Sequence, residues 1–148
     1  MSDDPHHHHL IWDRWYASRG MWRALPPSDI QATDGSRILE LGCGNGKTLG
    51  AIRGRDVRVV GIDVSREGMS KIPLPLRGRV ELVQGDALCL PFRDGSMDMI
   101  LAQHLLGHLN LGGREKAMKE IRRVLRPRGE VRITVMSRGD LRCGKGVE

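Results

Sequence analysis

"LELGCGNGKTLG", residues 39–50, is the stretch on which the fold is decided. It ends in Gly-Lys-Thr, as a phosphate-gripping P-loop does, but a Walker A loop needs four residues between its first glycine and the Gly-Lys-Ser/Thr. Counted back from Gly46, that first glycine falls at Leu41, and only three residues separate Gly42 from Gly46. The ring of backbone N–H groups is one residue short, so the loop calls for another ligand.

Outward from the loop, strands alternate with helical stretches. "SRILEL" (36–41) is a β-type run that ends at the glycines, and "KTLGAIRG" (47–54) reads as the helix that follows. "VRVVGIDV" (57–64) is a continuous apolar run closed by an acid, the pattern of a strand buried on both faces. "RVELVQGD" (79–86), "MDMILAQ" (97–103) and "GEVRITVM" (129–136) supply three more strands. Between the last two, Ala117, Met118, Ile121, Val124 and Leu125 recur at helical spacing, opposite Lys119, Arg122, Arg123 and Arg126, until Pro127 stops the helix. Strand, helix and strand in repetition predict a doubly wound α/β domain over residues 36–148, with a Rossmann-like parallel sheet. Residues 1–35 form an N-terminal tail with a helical lid candidate, "LIWDRWYASRG", followed by a Pro26-Pro27 break.

Composition sets bounds. The 148 residues suffice for one sizeable core and are too few for two. No apolar run reaches the roughly 20 residues of a membrane span, and no signal-type leader is present, which predicts a soluble, cytoplasmic protein. Cys43, Cys89 and Cys143 are odd in number and at no metal-ligand spacing, so no metal site is expected. His6 to His9 look like a mobile tail or tag remnant. The net charge of +6 lies wholly in the last 35 residues, where 11 basic face 5 acidic side chains. A nucleic-acid footprint and a solvated helix face both account for that excess.

In a doubly wound sheet, ligands bind outside the carboxyl ends of the strands, where the strand order reverses. Gly42, Gly44 and Gly46 allow tight turning and close approach there, and a following helix would offer its N-terminal N–H groups to an anion. Asp63, nineteen residues after Gly44, ends the second strand, where a carboxylate accepts hydrogen bonds from a ribose diol. A dinucleotide fits that acid, but its fingerprint places the third glycine one residue later, and Glu40 before the loop would repel a pyrophosphate. S-adenosylmethionine, with a sulfonium, an amino group and no phosphate, turns Glu40 into an asset.

At these residues the chain resembles the class I S-adenosylmethionine-dependent methyltransferases of the small methyltransferase-11-like type. "ILELGCGNG" is similar to that family's first motif and "GIDVS" to its ribose-binding strand end. "GDALCLPFRDGSMDMI" and "EIRRVLRPRGEVRITV" are similar to its adenine segment with fourth strand and to its helix with fifth strand. The resemblance covers residues 36–136 and implies strand order 3-2-1-4-5. It implies that the backbone of Gly42, Cys43 and Gly44 lies against the methionine part of the cofactor, with Glu40 near its amino group. Asp63, beside Val64, would hold the ribose. Asp86 would take the adenine amino group, flanked by Ala87 and Leu88, and Gln103 would lie under the sulfonium.

Plainer roles compete. Asp63 and Asp86 each suit a turn cap. His104 and His108, after the fourth strand, are candidates for a general base, but Leu105, Leu106 and Leu109 around them also suit packing. Trp12, Trp15 and Tyr16 suit a lid over the cofactor or a staple of the first helix to the sheet.

Two departures from the family stand out. Its Pro-Gly-Gly before the fifth strand is "RPRGE" here, with Arg128 for the first glycine, which strains the turn. The C-terminal antiparallel hairpin that completes the family's seven strands is missing, so the fifth strand is expected to be an edge exposing Val131, Ile133 and Val135. The expectation is a methyltransferase of open acceptor, with tRNA and small metabolites considered, in a truncated or partner-dependent form whose edge is covered by a homo-oligomer contact or an activating partner protein. The alternative is a non-catalytic cofactor-binding or partner-stabilising subunit, with an NAD-dependent oxidoreductase third.

Overall fold

Five apolar runs pair side by side into one parallel sheet. The structure, a computed structural model, describes residues 8–19 and 28–136. The elements are α1 (His8–Arg19), β1 (Ile30–Gln31), β2 (Arg37–Leu41), β3 (Ile52–Arg53), β4 (Arg58–Asp63), α2 (Arg66–Ser70), α3 (Leu74–Arg77), β5 (Glu81–Gln84), β6 (Met97–Gln103), α4 (Leu111–Val124) and β7 (Leu125–Thr134). The main sheet runs β5-β4-β2-β6-β7, the 3-2-1-4-5 order expected. All four of its pairings are parallel, and β2 lies where the order reverses. The N-terminal histidines through His7, the Pro26-Pro27 break, Cys143, Arg138, Arg142 and Lys145 lie outside the described residues.

Alternation along the strands builds two cores. Leu39, Leu41, Ile62, Ile100 and Ala102 point to one face, where Ile121 and Val124 of α4 close over them. Ile38, Val59, Met99 and Leu101 point to the other, against Leu49, Met69 and Ile72. Burying each such side chain contributes about 1.5–3 kcal/mol, so these two layers fix the strand ends that carry the glycine loop. Asn110 caps α4 by accepting from the Gly113 N–H at 2.7 Å.

Two expected elements differ. No α-helix follows the loop: Leu49–Ala51 make one 3-10 turn, and Ile52–Arg53 then pair in parallel with Ile30–Gln31. Gly46, Gly50 and Gly54 disfavour a helix, and β-branched Ile52 finds a partner strand, so no helix N-terminus is on offer to an anion there. The second difference is the end of α4. The expected helix through Arg126 stops at Val124, and Pro127 lies inside β7. A proline pushes the residue before it out of the α region, and extended backbone reaches back to Leu125. Arg126 therefore leaves the helix face and pairs with Asp98 at 2.7 Å. Arg128 has φ +63°, the left-handed strain its place in "RPRGE" predicts.

Behind the sheet's ligand end, Arg123 of α4 is a clamp. It donates to the Leu90 and Phe92 carbonyls at 2.9 and 2.8 Å and pairs with Asp94 and Glu120. On β7, Val131 and Ile133 are each 38 % exposed, an apolar row at the sheet's edge. No described helix is long and apolar enough to cross a membrane.

Candidate functional site

The glycine loop is tied to the second strand by its own backbone. Gly42 and Cys43 both donate their N–H to the Ile62 carbonyl, at 2.8 and 3.1 Å. Gly42, Gly44 and Gly46 all have positive φ, which a side chain would resist. Gly44 then donates to Asp63 Oδ2 at 2.7 Å, and Ser65 donates its N–H to Asp63 Oδ1 at 2.8 Å. Asp63 is thus the pin between loop and strand end, so the turn-cap role is present. A carboxylate has about four lone-pair sites, so two remain for a diol. Burial raises the Asp63 pKa, and the Ser65 and Gly44 N–H groups pull it back.

Glu40 lies one layer below, between Gly61 and Leu101 in the sheet. It is 2 % exposed, and Thr48 and the Leu49 N–H satisfy one side of its carboxylate. Its Oε2 has no hydrogen-bond partner among the described residues. Burial, and then the charge of Asp63, push its pKa well up, although the Thr48 and Leu49 bonds oppose this. Cys43 is a packed spacer: its Sγ fills the space where a Cβ on Gly61 would stand, and burial raises its thiol pKa.

The group that approaches Gly44 is Tyr16 of α1. A Cβ on Gly44 would stand 2.1 Å from the Tyr16 hydroxyl, and one on Gly68 would stand 2.6 Å from Tyr16 Cε2. The phenol is therefore socketed between two glycines, 6 % exposed, with its oxygen on the Asn45 N–H. Burial, then the Asp63 charge, raise its pKa. Asp13, one turn earlier, accepts from Ser65 Oγ at 2.6 Å and from the Glu67 N–H at 3.0 Å. Trp12 packs edge-on against His108, ring centroids 4.8 Å apart. Nothing in the sequence pattern singled out Asp13, Asn45 or Ser65. The only available signal was the aromatic cluster itself, three of the chain's five Trp, Tyr and Phe residues within five positions.

Beyond the loop, Asp86 Oδ1 accepts from the Leu88 N–H at 2.9 Å, and Ala87 is buried beside it. Val64 gives its carbonyl to Gln84 Nε2 at 3.2 Å. Gln103 ends β6, half-buried. His104 follows at φ +60°, its N–H on the Thr134 carbonyl at 2.8 Å, and the turned chain lays Leu105 Cδ1 3.2 Å from the Cβ position of Gly42. A non-glycine residue held in that conformation costs about 1–3 kcal/mol. Burial, then His104, lower the His108 pKa, which keeps its imidazole neutral. Among the described residues no three His, Cys, Asp or Glu side chains converge as a metal needs.

The floor of this site is acidic and desolvated. A carboxylate without a partner is costly to ionise in a low-dielectric interior, and Glu40 Oε2 stands in that position. The arrangement suits a cation and a diol and opposes a pyrophosphate, so the residues fit S-adenosylmethionine.

The family model described as a methyltransferase domain, of the methyltransferase-11 type, matches residues 39–133. The chain belongs to the class I S-adenosylmethionine-dependent methyltransferases. A demethylmenaquinone methyltransferase of Renibacterium salmoninarum is 31 % identical over 116 residues, which cover 78 % of this chain and 48 % of the relative. A tRNA (carboxymethyluridine(34)-5-O)-methyltransferase of Arabidopsis thaliana is 34 % identical over 132 residues, 88 % of this chain and 30 % of that protein. Among solved structures, the [4+2]-cyclase SpnF superposes with a TM-score of 0.62 at 30 % identity, covering 73 % of this chain and 43 % of the cyclase. The chain spans about half the length of the demethylmenaquinone methyltransferases it matches.

Proposed function

We propose that this chain binds S-adenosylmethionine over the glycine loop and directs its sulfonium methyl to a nucleophilic acceptor atom. The observation that carries the proposal is Glu40 Oε2, buried without a partner beside Asp63, an arrangement an ammonium group relieves. The cofactor supplies a methyl group already activated for in-line displacement. The chain's own residues hold and orient: Glu40 takes the amino group, the backbone of Gly42 to Gly44 borders the methionine part, and Asp63 with Val64 takes the ribose. Asp86, Ala87 and Leu88 border the adenine, and Gln103 lines the sulfonium end. Positioning of this kind supplies most of the rate. His108, neutral and on the acceptor side, is placed to receive a proton from an acceptor that carries one, with His104 shaping the turn beneath it.

The relatives suggest two acceptor classes, a tRNA uridine and a quinone precursor. Incubating the protein and labelled cofactor with total tRNA in one arm and a demethylated quinone in the other separates them. Calorimetry with S-adenosylmethionine, S-adenosylhomocysteine, NAD and ATP tests the cofactor: binding of the first two alone is expected, and binding of NAD or ATP instead overturns the assignment. The exposed row Val131, Ile133 and Val135 favours a second reading, in which a second copy or an activating partner covers β7 and the chain serves as a stabilising subunit. Sedimentation at micromolar concentration, with turnover measured on the same sample, distinguishes the two.

A further inference from the structure

We infer that the exposed side of α4 and the amino ends of β2 and β4 form one cationic track that holds the phosphate backbone of an RNA acceptor. The inference rests on the methyl-transfer reading above for the place of the acceptor, and it chooses between the two acceptor classes. On α4, Lys116, Lys119 and Arg122 follow one another at intervals of three and are all exposed, so they lie along one side of the helix over about 9 Å. In the sheet, Arg37 and Arg58 are register partners at the starts of β2 and β4. Each stands two residues before a core side chain, Leu39 or Val60, of the layer that α4 covers, so both belong to the α4 face. Asp98 joins the two groups: it accepts the Arg37 N–H at 2.6 Å and pairs with Arg126, just past the end of α4, at 2.7 Å.

Like charges at these spacings repel one another, and the fold does not relieve them. Among the described residues, none of the five side chains has a hydrogen bond or an ion pair. The acids closest to the end of α4 are taken, Asp98 by Arg126 and Asp94 and Glu120 by Arg123. Glu115, Asp56 and Glu81 flank the track without a partner among the described residues, three against five, and Arg79 adds a further cation beside Glu81. A row of cations that runs along a helix and turns across the end of a sheet suits a repeating anion, and arginine pairs with phosphate in two-point fashion. The described Trp and Tyr side chains are all on α1, and Phe92 packs against the core, so the track has no platform for unstacked bases. It therefore suits the backbone of a paired stem. Since α4 begins three residues past His108 and ends at the far end of the strands, a stem held along it presents its unpaired loop to the acceptor position. A quinone precursor carries no such row of charge.

The test measures fluorescence anisotropy of a labelled RNA stem-loop with the full chain across about 50–200 mM salt, beside a DNA duplex and vesicles of anionic phospholipid. The double variants Lys119→Ala with Arg122→Ala, and Arg37→Ala with Arg58→Ala, are each expected to flatten the slope of log affinity against log salt by about two, alike for every RNA sequence. With total tRNA and labelled cofactor, both are expected to raise KM and leave kcat unchanged, and S-adenosylhomocysteine affinity is expected to stay at the parent value. Arg14→Ala with Arg66→Ala removes the same charge away from the track and is expected to change none of these. An unchanged slope in both track variants, an equal loss in the Arg14 and Arg66 control, or DNA or vesicles bound as tightly as the RNA overturns the track. A flattened slope in a protein that binds no S-adenosylhomocysteine keeps the track and removes the cofactor assignment instead.

Discussion

Replacing Glu40 with glutamine should move stability and ligand affinity in opposite directions. Thr48 and the Leu49 N–H occupy one carboxylate oxygen, and an amide keeps that oxygen as their acceptor. What changes is Oε2, buried and without a partner, whose charge is lost. The amide NH2 that replaces Oε2 stays a buried polar group without an acceptor, so what the variant removes is the cost of charging the carboxylate, a gain that is absent at low pH and grows as pH rises through the raised folded pKa of Glu40. In a chain of this length each kcal/mol shifts Tm by about 2–4 °C. A charge-assisted hydrogen bond to an ammonium is worth about 1.5–3 kcal/mol, and its loss weakens S-adenosylmethionine about 10- to 150-fold.

The pH dependence carries the same signature. The folded pKa of Glu40 is raised by burial and by Asp63, with Cys43 and Tyr16 also within its field. Its stabilising contribution is therefore complete below the unfolded value, near 4.3, and is lost as pH rises through the folded value. The parent should lose stability along that rise, and the glutamine variant should show a flatter profile. Melting curves from pH 4 to 8 and calorimetry on both proteins are the measurements. A variant that melts lower at the upper end of that range, or that binds the cofactor as tightly as the parent, refutes the role given to Oε2.

Asp63→Ala should weaken cofactor binding by about 1.5–3 kcal/mol in a chain that still melts cooperatively; unchanged affinity in calorimetry would remove the ribose role. Arg128→Gly relieves the φ of +63° and should raise stability by up to about 1 kcal/mol, read as a higher denaturant midpoint at constant slope. Gly68→Ala sets a Cβ 2.6 Å from Tyr16 and should cost about 1–3 kcal/mol of overpacking, most of it recovered in the double variant with Tyr16→Ala. Additive effects of those two substitutions would show that the socket is not where the strain falls.

The sheet was legible because its signals are local. "VRVVGIDV" and "MDMILAQ" are apolar enough that little but a buried strand suits them, and the strand order followed from the family resemblance. The helix expected over residues 47–54 failed because what decides it is distant: Ile52 pairs with Ile30, twenty-two positions away. The same distance hid the role of α1. Asp13 meets Ser65 and Tyr16 meets Gly44 and Gly68, contacts that no periodicity encodes. Asp63 was singled out by its spacing as a ribose acid, a role that stays a proposal, and its use as the pin for Gly44 and Ser65 needed coordinates. Pro127 was read as the end of the helix, and its reach back to Leu125 moved Arg126 to Asp98.

The Arg123 clamp bears on how the segment proposed to border the adenine is prepared for that ligand. Residues 85–96 contain no strand or helix, and such a stretch left loose would have to give up freedom on binding, at about 1–2 kcal/mol for each backbone unit fixed. One guanidinium gathers the Leu90 and Phe92 carbonyls and Asp94 onto α4, while Glu120 takes the Leu90 N–H at 2.6 Å. The ordering is then complete when the chain folds, and an arriving base meets a surface already set in shape. Substituting Arg123 should therefore appear first as a larger entropic penalty in cofactor calorimetry, before any change in the contacts at Asp86.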